Sequence, residues 1–314
     1  MLSDQRRAVV QMIDAAKSQY IRDAIAEADS KETFAIFDRL LNRKDSAAVG
    51  QNDKDRAETA AGYFVSKIAT IRQNLDAITD LPEPLANDTA VTSTLSVFSC
   101  LTDDSLQTLI RRMPSKSCAL DPIPTYLLKD SAVCNALRPS LLQIINHSVS
   151  TGQVPTCLKI AQVKPRPKKP GADILDPKNL RPISNLPTIE KLLERSVVSD
   201  LQRYLNDNNI TDDFQSAYRP GHSTETAMLK VHNDIKCALD KGEGVLLVLL
   251  DLSAAFDTID HQILLLRLQH SVGIVGTALD WLRSYLSSRK QFVQIGQARS
   301  AAQDLDIGVP QNHA

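Results

Sequence analysis

The stretch GVLLVLLDLSAAFD, Gly244 to Asp257, decides which fold the sequence predicts. Val245 to Leu250 is an unbroken apolar run with Gly242 before it, which is typical of a strand buried on both faces. Asp251 follows the run directly. A carboxylate at the end of a buried strand is costly unless it lies in a cleft, accepts hydrogen bonds or binds a cation. Asp251 is therefore either the N-cap of the following turn or the ligand of a cation, and this stretch alone leaves both interpretations open.

Helical periodicity dominates the chain before residue 150. Apolar residues at three- and four-residue spacing predict helices over 3 to about 41, 57–75, 105–113 and 136–149, with a separate helix over 33–41. Pro82 and Pro84 fall in a stretch of linker composition without a clear period. We therefore predict a helical N-terminal region over 1–79, a linker over 80–95 and a second helical region over 96–160.

The stretch VKPRPKKPG, 163–171, places four basic residues among three prolines. Because proline prevents helix formation, the segment is predicted to be extended. A solvated loop and an edge that faces phosphates are both open interpretations of such a charge run. Further along, the pattern predicts helices over 188–205, from Ser223 or Thr224 to 235, over 258–270 and over 276–288, and strands over 291–296 and 305–309.

Composition narrows the possible classes of protein. The 314 residues carry 36 Lys and Arg against 37 Asp and Glu, so a global basic field is excluded while a local patch is not. An aromatic content of 4% disfavours an aromatic-rich platform for single strands. Five scattered cysteines without a CxxC pair indicate free thiols in a reducing compartment and no disulfide-linked partner. The N-terminus lacks a signal peptide and the longest apolar run is too short to cross a bilayer, so we expect an intracellular protein, nuclear or cytoplasmic, without membrane association.

LDLSAAFDTIDH, 250–261, resembles the first catalytic motif of the reverse transcriptases of non-LTR (LINE-type) retrotransposons. Other stretches resemble further motifs of the same family, and they follow one another along the chain in the order found in that family. They are AAGYFVSKIATIR (60–72), KSCALDPIPTYLLK (116–129), LKIAQVKPRPKK (158–169), NLRPISNLPTIEKLLE (179–194), FQSAYRPGHSTETAML (214–229) and GVPQ (308–311). The resemblance implies an α+β fold, in which the helical N-terminal region is followed by the fingers and a partial palm of a right-hand polymerase over 161–314.

The resemblance implies template-primed nucleotidyl transfer with an RNA template, a DNA primer, deoxynucleoside triphosphates and two Mg²⁺ ions. Asp251 then matches the family's catalytic metal ligand, and the carbonyl of Leu252 is a further ligand. Phe256 matches the steric gate that clashes with a ribose 2′-hydroxyl, and a core aromatic is the alternative interpretation. Gln311 matches a palm residue beside the nucleotide.

The fingers motifs imply further contacts. Arg181 matches the arginine that grips the incoming triphosphate, a role that suits its planar fork. Lys168 and Lys169 lie near the accompanying lysine of the family. Arg219 and Ser223 fall in a motif near the template, although turn formation and helix capping explain them equally well.

The family continues beyond the Gln of GVPQ with a hairpin that carries two further aspartates, and these 314 residues contain no such motif. We therefore expect a chain truncated before that hairpin and inactive alone, because one carboxylate cannot hold two octahedral divalent ions. We also expect the apolar strand over 245–250 to leave an open edge. The alternatives are a nucleic-acid-binding remnant, an unrelated phosphoryl-transfer enzyme and a pseudogene product without catalysis.

Overall fold

The computed structural model describes residue 19 and residues 53–77, 93–115, 118–252 and 254–310. Apart from residue 19, the helices predicted over 3–41 lie outside these residues, as does most of the linker predicted over 80–95. The division into domains stays a prediction.

The described residues form eight α-helices. They are α1 Asp53–Asp76, α2 Asp103–Arg112, α3 Thr125–Leu128, α4 Ser131–Thr151, α5 Thr188–Asp207, α6 Thr224–Asp240, α7 His261–His270 and α8 Gly276–Leu286. Five strands belong to one sheet: β1 Ile160–Pro167, β2 Leu180–Asn185, β3 Arg289–Ile295, β4 Ala298–Arg299 and β5 Gln303–Leu305. Helices precede a mixed region of helices and strands, so the α+β prediction is confirmed.

The sheet is mixed, with strand order β2–β1–β3–β4 and with β5 also paired to β3. β1 runs antiparallel to β2 and parallel to β3. Helices α5 to α8 all lie between β2 and β3 in the chain, because β3 returns beside β1 only after α8. The hairpin of β1 and β2 is the part of the sheet that carries the basic residues of 163–171.

Two apolar clusters hold the elements together. The larger cluster joins α2, α4, α5 and α8 around Trp281, whose indole N–H donates to the Ser148 hydroxyl at 3.0 Å. The smaller cluster packs α1 onto the sheet. Its buried members are Ala57, Ala60, Ala61, Phe64, Val163, Leu180 and Val293. The small alanines let α1 approach the strands closely, so α1 covers one face of the hairpin.

Local sequence signals explain where several helices begin and end. Ser223 caps α6 in a reciprocal capping box with Thr226. Asp260 caps α7 through the N–H groups of the first turn. Gly152 ends α4 in the left-handed conformation, at φ 69°.

The strand predicted over 245–250 is wrong: these residues form no strand and lie exposed. The exposed fraction runs from 43% at Val245 to 90% at Leu250. Strand backbone needs a neighbouring strand for its hydrogen bonds, and within the described residues no strand lies beside this run. An apolar run therefore did not by itself produce a buried strand, and the open strand edge predicted for 245–250 is wrong with it.

Two smaller predictions also need correction. Strand β5 covers Gln303–Leu305, so the strand predicted over 305–309 is shifted, and residues 307 and 308 form a bend instead. Helix α7 begins at His261 rather than 258, because Asp260 provides the cap.

Among the described residues, no helix is both long enough and apolar enough to cross a membrane.

Candidate functional site

Three cations lie together on one face of the β1–β2 hairpin. Arg166 pairs directly with Arg181 across the two strands, and Lys164 lies two residues from Arg166 on the same face. All three side chains are exposed, and none forms an ion pair with the residues that the structure describes. Like charges opposite each other are unfavourable unless an anion or water screens them. We call Lys164, Arg166 and Arg181 the basic face.

The turn of the hairpin adds two lysines with different surroundings. The Lys168 N–H donates to the Asn179 carbonyl at 2.8 Å, and its ammonium donates to the Lys178 carbonyl at 2.5 Å. Lys169 is exposed at the turn that follows. Lys168 therefore closes the turn, which leaves Lys169 as the better placed of the two for an anion.

Asp251 and Leu252 lie in the exposed segment after residue 244. The Asp251 carboxylate forms no hydrogen bond or ion pair with any described residue. Its oxygens are of the kind that hard divalent cations prefer. The Asp251 carboxylate is therefore a suitable ligand for a divalent metal ion. A single carboxylate, however, provides too few oxygen ligands for a complete site. Among the described residues, no three His, Cys, Asp or Glu side chains form a group that could hold a metal ion.

Phe256 lies on the loop 254–260 that follows Asp251. Its side chain is 42% exposed, so the alternative of a core aromatic is wrong. Its ring meets the ring of Tyr218 edge to face, with centroids 6.1 Å apart. The Phe256 carbonyl accepts a hydrogen bond from the Val309 N–H at 3.0 Å. The loop thus presents an exposed aromatic on an anchored backbone.

The loop 254–260 is anchored at its far end as well. The Gly308 N–H donates to the Ile259 carbonyl at 2.8 Å, and the Arg72 guanidinium of α1 pairs with Asp260 at 3.0 Å. Hydrogen bonds from the first turn of α7, chiefly from the Ile263 N–H, hold the pKa of the Asp260 carboxyl below its usual value, against the opposing effect of its burial. An ionised Asp260 both caps α7 and ties it to α1.

Arg219 and Ser223 have the structural roles that were the alternatives to template contact, namely turn formation and helix capping. The Arg219 guanidinium donates to the carbonyls of Asp212 and Asp213 at 3.3 and 3.4 Å, which closes the loop before α6. Ser223 caps α6. Their contact with a template stays a prediction.

The predicted residues Arg181, Lys168 and Lys169 lie on the β1–β2 hairpin, whereas Asp251, Leu252 and Phe256 lie on the segment after residue 244. Leu180 and Ser184, on the face of β2 opposite Arg181, line a pocket with Asp257 and with α1. Within the described residues, no hydrogen bond or ion pair joins Asp251 to the basic face. Gln311 lies outside the described residues.

Sequence reasoning missed Asp121, which joins two motifs that are 67 residues apart. Its carboxylate accepts hydrogen bonds from the Cys118 N–H at 2.6 Å, the Thr188 N–H at 2.5 Å and the Thr188 hydroxyl at 3.0 Å. These bonds attach the loop CALDPIP to the start of α5. Aspartate is a common turn residue, but its partner at the start of α5 could not be inferred from spacing.

A buried charged group also lies outside the predicted site. Arg289 at the start of β3 donates to Glu190 of α5 at 2.5 Å, and both side chains are essentially inaccessible. Burial raises the pKa of Glu190 to about 7, against the opposing effect of Arg289. Burial likewise raises the pKa of Glu194, which accepts a hydrogen bond from Tyr285. These contacts join α5 to β3 and to α8.

Comparison with known proteins identifies the region that carries the motifs. Residues 166–311 match the family described as "Reverse transcriptase (RNA-dependent DNA polymerase)". This family uses nucleotidyl-transfer chemistry with a divalent metal and binds an RNA template and a primer, and its domain has the right-hand polymerase fold.

Comparison with individual curated proteins shows which reverse transcriptases the chain is similar to. The chain is 33% identical over 143 residues to the "Probable RNA-directed DNA polymerase from transposon X-element" of Drosophila melanogaster, covering 46% of this chain and 16% of that protein. It is 25% identical over 280 residues to the "Probable RNA-directed DNA polymerase from transposon BS" of the same species, covering 88% and 30%. It is 30% identical over 195 residues to the "RNA-directed DNA polymerase from mobile element jockey" of Drosophila funebris, covering 61% and 20%.

The chain therefore spans less than a third of the length of each of these relatives. The predicted resemblance to the reverse transcriptases of non-LTR retrotransposons is confirmed, and residues 166–311 carry it most clearly.

Proposed function

We propose that this chain supplies the nucleotide- and template-binding part of an RNA-directed DNA polymerase of a non-LTR retrotransposon. Its ligands are an RNA template paired with a DNA primer and an incoming deoxynucleoside triphosphate. Arg181 and Lys169 bind phosphates, Phe256 faces the sugar, and Asp251 with the Leu252 carbonyl binds Mg²⁺.

The single observation that carries this proposal is the basic face. Two arginines directly opposite each other on neighbouring strands repel, and no acidic side chain in the described part of the chain pairs with them. Phosphate groups relieve that repulsion, and a guanidinium binds them bidentately. The net charge of −1 makes this local concentration of positive charge the feature that a polyanion recognises.

The metal part of the proposal rests on Asp251. Its exposed carboxylate is not engaged by any described side chain or N–H group, so an incoming cation displaces no partner among the described residues. A bound Mg²⁺ supplies charge neutralisation for the transferred phosphate. Two ions need more oxygen ligands than Asp251 and Leu252 provide. We therefore expect no primer extension from these 314 residues alone, and Mg²⁺-dependent extension that is lost in Asp251→Ala would contradict that expectation.

Binding to a fluorescent RNA–DNA template–primer tests the basic face. We expect the affinity of the full chain to fall steeply as salt rises, with each phosphate contact contributing about 0.7–0.9 to the slope of log K against log salt. The variant Arg166→Ala with Arg181→Ala removes two cations and is expected to reduce this slope by about 2.

The matched control is Arg283→Ala, which removes an exposed arginine already paired with Asp280 on α8. It is expected to leave the slope unchanged. Binding without salt dependence, or equal losses in Arg283→Ala and in the double variant, would show that the basic face does not hold nucleic acid.

A further inference from the structure

The contact between Tyr218 and Phe256 joins two exposed segments. The interplanar angle of the rings is 87°, and the centroids lie 6.1 Å apart, which is a favourable edge-to-face geometry. Tyr218 is 82% exposed and Phe256 42% exposed. Two aromatic rings that meet at the surface are not explained by packing of the core, so the contact needs a reason of its own.

The backbone on both sides of this contact adopts an unfavourable conformation. Tyr218 has φ 61° and Ala254, two residues before Phe256, has φ 54°. They are two of only four non-glycine residues with positive φ in the described part of the chain. This left-handed region costs free energy for residues with a Cβ, and such positions cluster where function requires them.

Anchoring bonds maintain this conformation on each side. Arg219, next to Tyr218, is held by the carbonyls of Asp212 and Asp213. The backbone of Phe256 is held by Val309. The two rings are therefore presented to each other by fixed backbones, and rotation of the Phe256 side chain is limited by the neighbouring ring.

We propose that Tyr218 is a positioning residue that holds the Phe256 ring against the sugar of the incoming nucleotide, so that Tyr218 contributes to discrimination between deoxyribonucleotides and ribonucleotides. This inference rests on the proposed function, in which Phe256 faces that sugar. An exposed phenylalanine without a neighbour rotates freely about its side-chain bonds. The edge of Tyr218 restricts that rotation and keeps the ring where a 2′-hydroxyl would collide with it.

The test compares nucleotide binding by three variants of the full chain. Tyr218→Asn removes the ring, and asparagine tolerates a positive φ, so the loop keeps its backbone. Tyr218→Phe keeps the ring and removes the hydroxyl. Phe256→Ala removes the gate itself. The measured quantity is the ratio of the dissociation constants for GTP and dGTP in the presence of Mg²⁺, together with the thermal unfolding of each variant.

We expect the unchanged chain and Tyr218→Phe to prefer dGTP to the same degree. Tyr218→Asn is expected to lower the ratio by about three- to tenfold, which is the factor that an aromatic pair of this geometry supplies. The double variant Tyr218→Asn with Phe256→Ala is expected to equal Phe256→Ala alone, because the tyrosine acts only through the phenylalanine. Tyr126→Ala, which removes another exposed tyrosine on α3, is the matched control and should not change the ratio.

The outcomes separate this inference from the proposed function. If Phe256→Ala abolishes discrimination while Tyr218→Asn keeps it, the role of Tyr218 is refuted and the proposed function stands. If Tyr218→Phe loses discrimination as fully as Tyr218→Asn, the hydroxyl and not the ring contact is responsible, and the inference is again wrong. If the unchanged chain binds neither nucleotide, or Phe256→Ala leaves the ratio unaltered, the proposed function itself fails and this inference fails with it.

Discussion

The buried carboxyl of Glu190 makes a sharp prediction about stability and pH. Glu190 is fully buried against Arg289, and its pKa rises from 4.5 to about 7 because burial disfavours the charged form. A pKa that is higher in the folded state than in the unfolded state stabilises the fold at low pH, and that contribution is lost as pH rises through the folded value. The relevant window therefore runs from about 4.5 to about 7.

The magnitude follows from the same two pKa values. Each pKa unit is worth about 1.4 kcal/mol, so the contribution of Glu190 to the free energy of unfolding falls by about 3 kcal/mol between pH 4.5 and pH 8. Glu190→Gln removes the titration and keeps the shape. We expect the stability of Glu190→Gln relative to the unchanged chain to increase by about 3 kcal/mol across this range.

Urea unfolding at pH 4.5, 6, 7 and 8 measures this difference directly. Glu194 has a raised pKa as well, so a residual pH dependence in Glu190→Gln is expected and only the difference between the two proteins is compared. Glu243→Gln, at an exposed turn, is the control and should differ from the unchanged chain by a constant amount. A stability difference that varies by less than about 1 kcal/mol over the range would refute the reasoning.

Four further substitutions test contacts that hold the fold and the site. At pH 8, above the raised pKa of Glu190, Arg289→Met leaves the buried carboxylate without a counter-ion, so urea unfolding is expected to show a loss of about 3–5 kcal/mol. Gly308→Ala places a Cβ 2.7 Å from the Asp257 carbonyl oxygen at a φ of +81°, and calorimetry should show a lower melting temperature. Gly62→Ala, where a Cβ meets nothing within 4 Å inside α1, should instead gain about 0.5–1 kcal/mol. Asp121→Ala removes three hydrogen bonds to a carboxylate and should cost at least about 2 kcal/mol, with faster amide exchange at the start of α5; unchanged exchange would contradict its role.

The sequence predicted those parts of the fold that depend on neighbours along the chain. The helix predicted over 188–205 is α5, Thr188–Asp207, and its amphipathic period was sufficient to locate it. Ser223 was a predicted cap of α6 because a cap depends on residues three positions away. Gly152 ends α4 for the same local reason, since it adopts a positive φ without penalty.

Features that depend on distant partners could not be predicted in this way. Residues 245–250 have the composition of a buried strand, but whether they form one depends on a second strand that composition does not reveal. The pair of Glu190 and Arg289 joins residues 99 apart in the chain, and nothing in either local stretch marks the other as its partner. Tyr218 was missed because a positive φ at a tyrosine leaves no sequence signal.

The packing of α1 bears on where the polymerase-like unit begins. The family match starts at residue 166, inside β1, but Phe64 of α1 is buried with Val163 and Leu180 on the face of the hairpin opposite the basic face. Arg72 of α1 also holds the loop that carries Phe256, through Asp260. Removing α1 would expose the apolar side of the hairpin and release one anchor of that loop. Helix α1, which lies upstream of the family match, therefore supports both the hairpin that carries the basic face and the loop that carries Phe256.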